Sequence, residues 1–111
     1  MNFELGNSIP ASITICDTEG IIIYMNDRAA KMFEGKGGYD LIGKNLYDCH
    51  NEKSKIIIRE LIEKKKENIY SIDKEGKKKI IIQSPWYEND EMKGLIELVI
   101  ELPDNIPHYV R

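Results

Sequence analysis

The chain has 111 residues, with 16 Lys and Arg against 19 Asp and Glu, a net charge of -3. That length matches one domain of about 100–150 residues, and the acidic balance argues against a dedicated nucleic-acid binder. Cys16 and Cys49 are the only cysteines, too few for a disulfide framework and in keeping with a reducing cytosol. The first residues lack the basic and long apolar stretches of a signal peptide. The longest apolar run, residues 21–25, falls far short of the roughly 20 needed to span a bilayer. A soluble, cytoplasmic chain is expected.

Residues 11–17 alternate as a strand, with Ile13 and Ile15 on one face and Ser12, Thr14 and Cys16 on the other. Residues 17–20, Asp-Thr-Glu-Gly, form a turn. The β-branched and aromatic run 21–25 returns as a second strand, giving an antiparallel hairpin. Asn26 and Asp27 are good caps for a helix over residues 28–34, where Ala29, Met32 and Phe33 share a face. Four residues rich in glycine, 35–38, end it, and residues 39–43 make one more helical turn. The long helix is expected over 51–67, with Ile57, Ile58, Leu61 and Ile62 as its apolar stripe. Strands follow at 68–72, 77–84 and 93–102. In the last, Ile96, Leu98, Ile100 and Leu102 face one way and Leu95, Glu97, Val99 and Glu101 the other. Three consecutive strands at the end require an antiparallel sheet, so the fold class is α+β.

Three features together resemble a PAS domain over residues 9–102: the opening hairpin with its Asp-x-x-Gly turn and terminal Asn26, the step Leu41-Ile42-Gly43-Lys44 before the long helix, and the three-strand finish. The resemblance implies a five-stranded antiparallel sheet in the order 2-1-5-4-3, with the helices packed on one face. It also implies a sensor and interaction module, with any ligand held between sheet and helices. Cys49-His50 is similar to a PAS subgroup with a Cys-His step at the start of that helix. The tail is similar to that of small stand-alone bacterial PAS proteins. On this reading residues 1–8 are an N-terminal segment able to contact a dimer partner, and residues 103–111 are a tail containing prolines.

The pocket expected from the resemblance is lined by Ile21, Ile23, Phe33, Leu46, Cys49, Ile58, Ile96 and Leu98. An interface is expected on the outer face of the sheet, with Ile81, Trp86, Leu95 and Val99 pointing outward. His50 is a candidate haem ligand, although it precedes the position such domains use; helix capping or a surface site is its structural explanation. Cys49, at a helix start, is a candidate redox thiol or a small apolar core residue; the flavin-binding Asn-Cys-Arg motif is absent. Zinc needs four ligands, and Cys16, Cys49, His50 and His108 have no paired spacing, so no metal is expected. The glycines at 35–38 lack a P-loop's context. The lysines at 64–66 and 77–79 lie among glutamates and read as a solvated face. No serine has a nucleophile's setting, so an enzyme is not expected. Pro103 and Pro107 oppose an output helix. Signalling is therefore expected through a surface, to a second copy or another signalling protein, with no nucleic acid or membrane partner.

Overall fold

The computed structural model describes residues 4–111. After a short helix α1 (Glu4–Ser8), the hairpin β1 (Ser12–Asp17) and β2 (Ile22–Met25) forms with antiparallel pairing. Its turn is built by Asp17, whose Oδ1 accepts from the backbone N–H groups of Glu19 and Ile21, each at 2.9 Å. Gly20 completes it at φ 86°, a conformation that only glycine adopts without cost.

Asn26 caps α2 (Asp27–Met32), and three 3₁₀ turns, Glu34–Lys36, Gly38–Leu41 and Leu46–Cys49, carry the chain to α3 (Glu52–Lys64). Asn51 caps α3 through the N–H of Ser54 at 2.8 Å. The helix ends at Lys64, three residues earlier than its charge pattern suggests, because Lys65 turns left-handed at φ 53°. Only Ile58, Leu61 and Ile62 of the expected stripe are buried; Ile57 is 41% exposed. The three buried residues pack on Cys16 and Leu95, while Ile22, Met25, Ala29 and Leu41 form a second cluster under α2.

Strands β3 (Asn68–Lys74), β4 (Lys77–Glu88) and β5 (Glu91–Glu101) follow as a meander. Both turns place two residues at positive φ, Glu75 with Gly76 and Asn89 with Asp90, the geometry that matches the right-handed twist of a hairpin. β5 then pairs with β1, so the sheet order is β2-β1-β5-β4-β3. The expected order and fold class are those observed.

The inner and outer faces differ from expectation. Cys16, Ile81, Leu95 and Val99 are all buried beneath the helices, with cross-strand pairs Cys16 to Leu95 and Ile81 to Val99. By strict alternation Ile96 and Leu98 then face outward. The expectation from the sequence had Ile81, Leu95 and Val99 outward and Ile96 and Leu98 inward, the reverse of what is observed. Alternation shows which residues share a face but not which face is covered, and β5 carries aliphatic residues on both. Trp86, the other residue expected outward, shares the face of Ile82 and Ser84 by this alternation: it pairs with Gly94 on β5, and its indole N–H donates to the Cys16 carbonyl on β1 at 3.1 Å. No helix among the described residues is long and apolar enough to cross a membrane.

Candidate functional site

The inner face of the sheet carries a polar row that crosses four strands. Thr14, Glu97, Gln83 and Asn68 are successive cross-strand partners on β1, β5, β4 and β3. Asn68 Nδ2 donates to Gln83 Oε1, and Gln83 Nε2 donates to Glu97 Oε2, each at 2.9 Å. Thr14 and Gln83 are buried. Such a row needs its hydrogen bonds, since an unpaired buried amide costs about 1–3 kcal/mol.

Three cavities meet at this row. An enclosed one of about 30 Å³ lies between Phe33, Leu41, Ile58 and Leu95, room for a water molecule or two. A second, open one of about 430 Å³ lies between the start of α3 and Asn68 and Tyr70 of β3. A third, of about 500 Å³, lies between Phe33 and the strands bearing Ile72 and Ile81. His50 and Glu97 line all three. The open pair falls in the size range of small-molecule sites, roughly 300–1,000 Å³.

His50 is held by its own loop. Its Nδ1 lies 2.8 Å from the Leu46 carbonyl oxygen. A carbonyl only accepts, so Nδ1 carries the proton and Nε2 is the ring's other atom. Tyr70, beside the cleft, has its phenol pushed up in pKa mainly by burial, with the charge of Glu97 adding to the effect.

Of the expected pocket residues, Phe33, Leu46 and Ile58 line the enclosed cavity. Ile21 is half-buried and joins Asn45 in an isolated bridge, and Ile23 is 46% exposed; Ile22 and Met25 line the cavity in their place. A bulge between Ile15 and Cys16 shifts the pairing of β2, which defeats simple alternation there. Ile96 and Leu98 are on the sheet's other face, and Leu95 and Glu97 take their place. The Cys49 side chain lies outside the described residues. Glu97, Gln83 and Asn68 were missed. Their signal is a polar residue in the middle of each of two aliphatic strands, Ile-Ile-Gln-Ser in β4 and Leu-Ile-Glu-Leu in β5.

For the haem alternative, His50 presents a well-oriented imidazole to all three cavities; the enclosed one, about 30 Å³, does not fit a macrocycle, and the two open ones reach about 430 and 500 Å³. No group of three or more potential metal ligands occurs among the described residues. The other thiol, Cys16, is free and buried. Burial, with smaller contributions from Asp17 and Glu97, outweighs two backbone hydrogen bonds and pushes it from 9.0 up to about 11. A pKa raised on folding means stability that is present below pH 9 and lost as pH climbs towards 11, about 2–3 kcal/mol in all. Thermal melts between pH 9 and 11 are expected to fall more steeply for the native chain than for Cys16→Ala. Equal slopes would show that the thiol is not buried as described.

The comparisons agree with this architecture. A PAS domain family model matches residues 10–100, and no curated protein matches the chain. Among solved structures, a C-terminal domain from Streptococcus mutans superposes with a TM-score of 0.70 at 24% identity, covering 87% of this chain and 79% of that one. The PAS domain of histidine kinase ThkA gives 0.66 at 21% identity, covering 83% and 99%. VqmA of Vibrio cholerae, solved bound to DPO, gives 0.68 at 16% identity, covering 92% of this chain and 56% of that one. With the strand order, the cup and the family match over residues 10–100 in agreement, the chain belongs to the PAS domain family.

Proposed function

We propose that the chain is a sensory module of signal transduction that binds a small ligand in the cup and passes the change on by self-association through the outer face of its sheet. The observation that carries this reading is the convergence of Glu97, His50 and Gln83 where the apolar enclosed cavity meets an open, more polar one. A few convergent polar groups in an apolar concavity are the usual form of a small-molecule site. The enclosed part is too small for most metabolites. A ligand reaching it selects a conformation in which the loop of His50 and the start of α3 stand further from β4. Differential affinity for that conformation shifts the population. Two likenesses support the reading: ThkA is a histidine kinase, and VqmA has been solved with a bound small molecule. A cytoplasmic setting fits the free thiol of Cys16.

The outer face supplies the contact surface. Ile13, Leu98 and Ile82 are neighbours across β1, β5 and β4, as are Ile80 and Ile100. All are partly exposed, and a continuous apolar patch of this kind marks an interface. Sedimentation of the native chain at tens of micromolar is expected to show a dimer. Leu98→Glu, which puts a charge at the centre of the patch, is expected to sediment as a folded monomer. A native chain that stays monomeric throughout would remove self-association and leave docking to another signalling protein. Native mass spectrometry against a panel of small metabolites tests the ligand. A bound adduct lost on denaturation is expected, and an unoccupied chain across the panel would favour an interaction domain without a ligand.

A further inference from the structure

The polar row of the cup has a direction. A carboxylate only accepts, so Glu97 fixes the orientation of Gln83, whose carbonyl in turn takes the amide of Asn68. Among the described residues Glu97 receives one side-chain hydrogen bond, that from Gln83. A carboxylate offers about four lone-pair sites, so most of its accepting capacity remains at a residue that lines all three cavities. His50 is oriented with the same result. Its Nδ1–H is committed to the Leu46 carbonyl, and Nε2 accepts when the ring is neutral. In that form the two groups common to every part of the cleft both accept.

On the ligand-cup reading above, we infer that the ligand is a small amine with an apolar or aromatic body. The body lies against Phe33 and Ile58, and the protonated nitrogen donates to Glu97 and to His50 Nε2. An anionic ligand would meet a half-buried like charge, where repulsion is far stronger than in water. A purely apolar ligand would strip water from Glu97 and return no hydrogen bond. Lys36, Lys74 and Lys79 stand on the rim of the outer cavity. Lys36 and Lys74, with Lys53 at the second cavity, are exposed and screened by salt, so they oppose an amine at Glu97 only weakly; Lys79, half-buried, is the cation that opposes it most.

Three probes of similar size separate the possibilities: 2-phenylethylamine, 2-phenylethanol and 3-phenylpropanoate. Each is titrated into the native chain and into Glu97→Gln, followed by amide NMR shifts. The amine is expected to bind the native chain about tenfold more tightly than either other probe, the size of one charge-assisted hydrogen bond. That preference is expected to collapse in Glu97→Gln. Equal binding of the three, or preference for the carboxylate, with shifts in the cup overturns the amine inference and leaves the ligand-cup reading standing. Failure of every probe to shift cup residues overturns both. The comparison within the native chain decides the matter even where Glu97→Gln folds poorly.

Discussion

Asn26→Asp is expected to lower the melting temperature by roughly 15 °C, as much as Asn26→Ala does. Asn26 is 1% exposed and joins four segments through its side chain. Its Oδ1 accepts from Ile13 N–H at 2.9 Å and from Ala29 N–H at 3.0 Å. Its Nδ2 donates to the carbonyls of Gly6 at 2.9 Å and Ala11 at 2.8 Å. Alanine removes a helix cap worth about 1 kcal/mol and leaves buried backbone groups unpaired at about 1–3 kcal/mol more. Aspartate keeps the cap but turns the donor into an acceptor facing two carbonyl oxygens, with a buried charge. Either way the loss is about 3 kcal/mol, and roughly 5 °C accompanies each kcal/mol in a domain of this size. Asn51→Ala is the control, an exposed cap on α3 worth about 1 kcal/mol. Thermal melts followed by circular dichroism decide it. A melting temperature for Asn26→Asp within a few degrees of the native value would show that the amide is not the joint described. The joint matters for the cup because it anchors α2, which delivers Phe33 to the cavity wall.

Gly94→Ala is expected to cost about 3 kcal/mol or more, enough to leave much of the protein unfolded at 37 °C. Gly94 sits in β5 at φ 153°, opposite Asp17 of β1. A Cβ there would fall on the Cys16 carbonyl oxygen and stand 2.8 Å from the Asp17 Cα. Both are backbone atoms of a paired strand, so neither can give way. The same carbonyl is the acceptor of the Trp86 indole, whose reach across β5 depends on the bare glycine. Gly43→Ala separates crowding from conformational strain. Gly43 also has a positive φ, 92°, but nothing lies within 4 Å of its missing Cβ. Its replacement should cost only about 1–2 kcal/mol. Urea unfolding of the two variants side by side measures the difference. Similar losses for both would mean that strain, not the close approach of β1, explains Gly94.

Much of the fold was legible because it is encoded locally. The Asp17 turn and the Asn26 cap rest on side chains acting within four residues of themselves, and both late hairpin turns on pairs of residues at positive φ. The strand order came from resemblance to a family and was then found in the sheet. The extent of β4 was not legible. The strand was expected over residues 77–84, yet it runs on to Glu88, with a register shift between Trp86 and Tyr87. Pro85 cannot donate to the ladder, and the irregularity follows directly after it. The site was half legible. Phe33, Leu46, Ile58 and His50 follow from helical spacing and from the resemblance. Asn68, Gln83 and Glu97 are 14 or 15 residues apart on three strands, and only the assembled sheet makes them one row. The choice of covered face was lost for a related reason. The outer face of β5 is more uniformly aliphatic than the inner one, so hydrophobicity pointed the wrong way.

The central claim, that ligand recognition belongs to the cup and association to the outer face, is tested most directly by methyl-resolved NMR. The sheet carries separate reporters on its two sides: Ile58, Ile81 and Leu95 within the cup, and Ile80, Ile82, Leu98 and Ile100 outside it. Titration with 2-phenylethylamine is expected to move the first set, while raising the protein concentration is expected to move the second. Shifts from the probe confined to the outer methyls, with the cup methyls unmoved, would contradict the account.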